Sequence, residues 1–456
     1  MNSIAKNNNK LPLIALCLGY FMVILDVTIV NVALPSIQKG LSTSLSGLQW
    51  VVDGYTLTFA CFLLASGCLG DRLGSKNIFI IGLLFFVLTS IACATAPHIG
   101  LLVFYRLLQG ISAALVVPTS LSLIKSSYQS KQEQSKAIGI WASIGGMAAF
   151  SGPILGSIFT AWAGWPAVFI INVPIGLLGI FLTMKYVVNP PRNICEGGFD
   201  LPAQFSIIIS IAALAFSLIE AGRYGWFSLP VVSSFLLFLI TLVVFIAIEK
   251  RAVLPMLPLT LFQSQNFSAS LVIGMILNIG FYGELFVLPL YFQQIAGYSI
   301  LMTGLAILPQ PGLAAIASYM GGKMASTSGP KLPMAIGLMI GCIGFFSLFI
   351  VLAVINHNTL SYWHFILPLA AIGFGTAFTM PAATIVIMHS VSNAQAGIAS
   401  AAFNASRQVG SLLGVAIFGT ILTMITPFMS GMRVTLAIGG LVFLAAFIIT
   451  LLKLQK

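Results

Sequence analysis

Five ionisable side chains lie deep within long apolar runs of this sequence: Asp26, Asp53, Arg106, Glu284 and Arg407. A charge at the centre of a bilayer costs about 2.5–3.5 kcal/mol on insertion scales, so each is a functional candidate by default. A carboxyl group there can carry a proton if its surroundings alternate between water and burial or ion pairing. Asp26 beside Arg106 would be ionised; parted from it in an apolar setting, it would hold a proton. The alternative is a static ion pair that joins two spans. At about 1.5 Å per residue, Asp26, Asp53, Arg106 and Glu284 all sit roughly 8–12 Å below one common membrane face. Three acids and one base at a single depth predict a shared water-filled cavity. Asp53 could instead be a helix N-terminal residue complementing the macrodipole near the interface. Glu284 has no basic neighbour within its span, so it should face protein rather than lipid. Arg407, near mid-depth, could bridge carbonyls between two parts of the protein or meet a substrate.

The elements that hold these residues follow from composition. Of 456 residues, 59% are hydrophobic and 6% charged, and the mean hydropathy is +1.07. Soluble domains carry about 25% charged residues, so this chain cannot cover a water-facing surface. A cytosolic enzyme, a secreted module and a disordered chain are thereby excluded. An outer-membrane barrel would alternate polar and apolar residues over about 10 positions. Here the apolar runs are unbroken over about 20, the length a helix needs to span a bilayer. The fold class is therefore an all-α polytopic membrane protein.

Fourteen spans are predicted, at 11–34, 48–68, 77–96, 100–124, 136–160, 165–188, 201–220, 229–248, 267–292, 300–322, 332–355, 361–387, 397–424 and 433–454. The tenth contains Pro309 and Pro311. The first run is too long for a signal-peptide core and lacks a small-residue cleavage site, so it should stay in the protein. With the N-terminus inside, inner loops and tails hold fifteen Lys and Arg, among them Arg72, Lys76, Lys131, Lys250 and Lys331. Outer loops hold three: Lys39, Arg223 and Arg433. The positive-inside rule then places both termini in the cytoplasm and explains the net charge of +11 without nucleic acid. Glu220 and Arg223, one turn apart, should form an interfacial pair. Cysteine spacing, with Cys195 in a loop, suggests neither a disulfide framework nor a metal site. His98, His357, His364 and His389 lie near loops, without ligand spacing, so no metal is expected.

An internal repeat is also legible. Leu34-Pro35 and Gly67 match Leu288-Pro289 and Gly321; Gly110 and Pro118 match Gly373 and Pro381; Gly152 and Gly156 match Gly410 and Gly414. Their shared order divides the chain into a six-helix bundle at 1–190, a two-helix hairpin with linkers at 191–260, and a second bundle at 261–456. Parallel six-span halves around a central site are the build of a secondary transporter. The hairpin should pack peripherally against lipid.

Several segments then resemble a known family. The run from Leu25 to Pro35, LDVTIVNVALP, resembles the hallmark of fourteen-span drug:proton antiporters of the major facilitator superfamily, the EmrB/QacA type. Gly67 to Lys76, GCLGDRLGSK, resembles that superfamily's loop 2–3 motif, and Arg106 to Gly110, RLLQG, its span 4 motif. Ser151-Gly152-Pro153 with Gly156 resembles the antiporter motif of span 5, although Ser157 stands where a second glycine is usual. Asn404 to Gly410 resembles the span 13 pattern. The resemblance implies a major facilitator fold and proton-driven export by alternating access, with no cofactor, in a bacterial inner membrane. It couples the span 1 acid to the span 4 arginine.

Gating roles are expected at two places. Asp71, with Arg72 and Gly74, could meet a helix N-terminus of the opposite half and hold the cytoplasmic side shut; a plain loop turning at Gly74 is the alternative. Gly152, Pro153 and Gly156 supply a smooth, kinked strip that could seal span 5 against the other half. The acids, with 34 Phe and 16 Met, suit a hydrophobic or amphipathic cation. Export of one endogenous metabolite, such as a siderophore greeted by Arg106 and Arg407, is the competing reading. A sensor or scaffold would need a soluble domain, and an enzyme would need a nucleophile, metal or cofactor constellation. Partners are then the substrate, protons and lipid; a periplasmic adaptor and an outer-membrane channel are further partners such an exporter could take.

Overall fold

A computed structural model describes residues 10–128, 130–190, 200–252, 255–354, 361–392 and 395–454. Cys195 and His357 lie outside the described residues, as do the side chains of Leu64, Cys68, Asp71 and Lys131. The helices are α1 Leu11–Gly40, α2 Leu45–Leu73, α3 Ser75–Ala94, α4 Ile99–Ser127, α5 Lys131–Ala163, α6 Ala167–Ile170 and α7 Asn172–Tyr186. Then come α8 Leu201–Tyr224, α9 Leu229–Arg251, α10 Gln265–Leu290, α11 Ile300–Ile307, α12 Pro309–Gly312, α13 Ala314–Ser328, α14 Lys331–Val354, α15 Trp363–His389, α16 Ala396–Met424 and α17 Phe428–Lys453. Among the described residues there is no strand, and 13 helical segments are long and apolar enough to cross a membrane. Within 29-residue α2, Asp53 lies well past the Ser44 cap rather than at an interfacial N-terminus.

Short polar caps start these helices. Ser44, Ser130, Asp200 and Ser299 each accept a backbone N–H three residues on, satisfying donors a helix start leaves open. Gly74 joins α2 to α3 at φ +96°, a left-handed position that glycine tolerates without strain. Prolines break two of the expected spans. The sixth divides into α6 and α7 four residues before Pro174, whose ring would clash with the carbonyl of Ile170 in a continuous helix. The tenth divides into α11, α12 and α13 around Pro309 and Pro311.

Helices α1–α7 form one group and α10–α17 another, and packing partners recur between them. As α5 lies on α1, so α16 lies on α10; α4 packs on α2 and α3, as α15 does on α13 and α14. The repeated glycines sit at these crossings. A Cβ on Gly110 would fall 2.2 Å from the Tyr55 carbonyl oxygen, and one on Gly373 would collide with the Gln310 carbonyl. Gly152 and Gly156 face Thr28 and Ile29 of α1, within their own group. This corrects the expected seal for the two glycines only: Pro153 does meet the second group, its carbonyl and Ser157 lying against Gly304 of α11.

Hydrogen bonds joining the two groups cluster at the end away from the chain termini. The Gln49 side-chain amide donates to the carbonyls of Val415 (3.2 Å) and Ala416 (2.8 Å). Gln293 donates to Val32 O at 3.1 Å, and Gln294 to Gln38 Oε1 at 2.8 Å. Toward the termini, a Cβ on Gly67, Gly139 or Gly146 would meet nothing within 4 Å. The cross-group hydrogen bonds of the bundle thus fasten its far end.

The hairpin occupies two environments. Helix α9 buries only Val231, Phe245 and Glu249. Helix α8 instead covers the α2–α16 seam, where Trp50 Nε1 donates to Glu220 Oε1 at 3.0 Å and Thr420 Oγ1 to Leu218 O at 2.7 Å. Glu220 is thus engaged by Trp50 and makes no ion pair with Arg223, whose guanidinium lies 5.0 Å from the Tyr224 ring.

Candidate functional site

Asp26 and Arg106 form a fully buried ion pair, 0% and 1% exposed. Two charges taken out of water need further partners to offset desolvation, and four helices, α2, α3, α4 and α7, supply them. Arg106 Nη1 also donates to Gln109 Oε1 (2.8 Å) and Nε to the Val51 carbonyl of α2 (2.9 Å). Tyr55 lies face-on, its centroid 4.4 Å from the guanidinium carbon. Asp26 Oδ1 accepts from Asn172 Nδ2 at 2.9 Å and from Gln109 Nε2 at 3.2 Å. Ser90 Oγ on α3 accepts from both amides, at 2.8 Å from Gln109 and 3.3 Å from Asn172. The break before α7 sets Asn172 at a helix start, aimed at Asp26.

Gln109, Asn172 and Ser90 are neutral residues that charge-based reading passes over. Gln109 had a signal, since it stands in the RLLQG segment, and Asn172 is a polar residue in an apolar run. Ser90 had none.

The other acids stand apart from this pair. Glu284 on α10 is 0% exposed and accepts from Gln310 Nε2 of α12 at 3.0 Å. Asp53 is also 0% exposed, and neither of its oxygens has a partner. It lies on α2 one turn below Gln49 and one above Leu57, the side chains that meet α16. The shared cavity expected from depth is therefore absent in this conformation. Equal depth does not fix the direction of a side chain around its helix, and each acid is enclosed separately.

Arg407 is the deep ionisable residue that stays half-buried. Its Nη1 donates to Asn404 Oδ1 at 3.3 Å, while its buried Nε has no partner. It bonds no carbonyl of the first group. At the termini end, Arg72 is exposed, Gly74 makes the turn, and the Asp71 side chain lies outside the described residues. No grouping of His, Cys, Asp and Glu among the described residues could hold a metal.

The profile of the Major Facilitator Superfamily matches residues 16–415. A methylenomycin A resistance protein of Bacillus subtilis is 36% identical over 440 residues, covering 96% of this chain and 93% of that one. The multidrug resistance protein Stp of Mycobacterium tuberculosis is 34% identical, covering 90% and 75%. A tetracenomycin C resistance and export protein of Streptomyces glaucescens is 31% identical, with the same coverage. Among solved structures, an auto-inhibited POT family peptide transporter superposes with a TM-score of 0.72 at 13% identity, covering 98% of both chains. A bacterial homologue of the human lysosomal transporter Spinster gives 0.70 at 16%, covering 98% and 97%.

Proposed function

We propose, for a chain that belongs to the drug:proton antiporter family of the Major Facilitator Superfamily, that it exports amphipathic small molecules in exchange for protons by alternating access. It is a transporter and no enzyme. The observation that carries the exchange reading is the Asp26–Arg106 pair, sealed within one helix group of the bundle. A rocking motion that let water reach Asp26 would change the balance between ion pairing and protonation, and so tie proton uptake to the state of the carrier. The resistance and export proteins among the relatives support small drug-like cargo.

In this reading the chain has fourteen spans, with bundles at 1–190 and 261–456 and the hairpin and its linkers at 191–260. Both termini are cytoplasmic, so the end fastened by Gln49, Gln293 and Gln294 faces outward. The carrier needs no cofactor; whether an adaptor joins it does not affect the exchange step. The preference for cations required Asp53 and Glu284 to be reachable, and both are enclosed, so cargo charge rests on other groups.

Efflux from cells stripped of their own pumps, with a panel of dyes and antibiotics, tests export; proteoliposomes with an imposed pH gradient test coupling. Accumulation should fall for several amphipathic compounds and rise again on adding a protonophore. Efflux that ignores the protonophore would end the proton-driven reading. Sidedness has its own measurement. In a cysteine-free background, single cysteines at Lys39 and Lys131 should label from opposite sides of the membrane; labelling from the same side would sink the topology.

A further inference from the structure

We propose that Glu284 and Gln310 form a second proton-binding site, in the helix group that lacks the Asp26–Arg106 pair, with the proton held between Glu284 Oε1 and Gln310 Oε1; its part in transport rests on the exchange reading. Glu284 of α10 and Gln310 of α12 are both fully buried, and Gln310 Nε2 donates to Glu284 Oε2 at 3.0 Å. One oxygen on each side chain is left over. Glu284 Oε1 and Gln310 Oε1 are buried and have no hydrogen-bond partner. An ionised carboxylate and an amide oxygen are both acceptors, so neither can satisfy the other. A proton on the carboxyl resolves this. The acid O–H then donates to the amide oxygen while the amide N–H donates to the acid carbonyl, closing an acid–amide ring that uses both stranded atoms. Without the proton, the enclosed carboxylate keeps its charge against one neutral donor, a state that burial disfavours.

No cation stands in for that proton. Glu284 makes no ion pair among the described residues. Helices α11 and α12 carry no titratable residue, and α15 has only His364 and His389, at its two ends. Gly410 meets Met275, so Arg407 of α16 stands level with Val272, twelve residues and about 18 Å along the axis from Glu284. On α17, Arg433 donates to the Leu352 carbonyl of α14, and Lys453 ends the helix. On α1, Asp26 is taken by Arg106, Tyr20 stacks on Trp141 of α5, Cys17 packs in the first group's core, and Lys39 stands in the last turn. The phenols Tyr282 and Tyr291 make no hydrogen bond with Glu284.

The site lies at a break in a membrane-crossing segment. Pro309 and Pro311 bracket Gln310, and each removes a backbone donor. On one side of the break, α11 rests on the first helix group, where Gly304 meets the Pro153 carbonyl and Ser157. On the other, α12 rests on α15 of the second group, where a Cβ on Gly373 would collide with the Gln310 carbonyl. Movement of one group against the other therefore pulls on α11 while α15 holds α12. The strain falls on the segment that carries Gln310, and opening the acid–amide ring there frees the proton.

The test is infrared difference spectroscopy on the full-length protein in lipid nanodiscs at neutral pH, wild type minus Glu284→Gln. Wild type should show the carbonyl band of a protonated carboxyl, which shifts in D2O and is lost in the variant. Glu284→Gln should fold, because a second amide can close the same ring. Gln310→Leu should move the acid band to higher frequency, since the carbonyl loses its donor, and it carries the test if Glu284→Gln fails to fold. Carboxylate bands in place of the acid band, with or without added sodium, overturn the proposal, as does an acid band that Gln310→Leu leaves unmoved. In proteoliposomes Glu284→Gln should lose pH-driven efflux yet keep substrate counterflow; undiminished pH-driven efflux overturns the role in coupling. An acid band in a wild type that shows no proton-driven efflux would sink the exchange reading and leave the proton site standing. Proton-driven efflux by a wild type without the band would do the reverse.

Discussion

Asp26→Asn and Arg106→Met should each abolish pH-driven efflux, and each should destabilise the protein, whereas Asp26→Asn/Arg106→Met together should restore much of the stability and none of the transport. Removing one member of a buried pair strands the other, at a cost of about 3–5 kcal/mol. Arg106→Met leaves Asp26 with two amide donors, from Asn172 and Gln109, but no cation. Asp26→Asn leaves the guanidinium with Gln109, the Val51 carbonyl and the Tyr55 face, and should fall at the lower end of that range. The bilayer gain from deleting one charge does not decide the matter, because the pair is already enclosed in protein. The double variant removes both charges and is expected to melt above either single one, an interaction energy of the kind neighbouring residues show. Thermal melts in detergent and efflux from proteoliposomes under a pH gradient read the two effects separately. Wild-type efflux by Asp26→Asn would remove Asp26 from the coupling role. A double variant no more stable than the single ones would show that the pair holds nothing together.

The second large effect concerns α10 and α16. A Cβ on Gly410 would lie 2.2 Å from the Met275 carbonyl oxygen, and one on Gly414 2.2 Å from that of Ile279. The obstacle is backbone, which cannot swing aside as a side chain can. Gly410→Val or Gly414→Val must push two helices apart along a contact that small residues make possible. Overpacking usually costs about 1–3 kcal/mol, and a rigid obstacle places these changes at or above the top of that range. Gly397→Val on the same helix meets nothing within 4 Å and is the control. Folded yield by size-exclusion chromatography and the melting midpoint should drop for the first two and hold for the third. Equal behaviour of all three would mean that α16 is not seated as closely as described.

Helix placement was legible because twenty apolar residues in a row leave the backbone one way to satisfy itself in lipid. The ends were less so. The first span was expected to stop at 34, yet α1 continues through Pro35 to Gly40 because Ile37 is still packed in the core. The Asp26–Arg106 pairing could be anticipated from two opposite charges at one depth. Its enclosure by Ser90, Gln109 and Asn172 could not, because those residues come from three helices and no spacing along the chain relates them. Depth also misled for Asp53 and Glu284, since it fixes height along a helix and leaves azimuth open. The Gly152 and Gly156 strip was assigned to the wrong neighbour for a related reason: small residues announce a close approach without naming what approaches.

The Gln49 contact bears on how lightly the carrier is balanced. Its amide reaches the carbonyls of Val415 and Ala416, which as members of α16 also sit in that helix's own bonding pattern. Gly419 lets the amide come so near, because a Cβ there would fall 2.5 Å from Gln49 Cδ. When the far end parts, those carbonyls keep their helical donors, and one amide group exchanges a protein acceptor for water at little net cost. The clasp can therefore release without leaving an orphan on either side. A fastening of that kind sets no strong bias of its own, so in the proposed exchange cycle the direction of the swing is left to whatever cargo and proton are aboard.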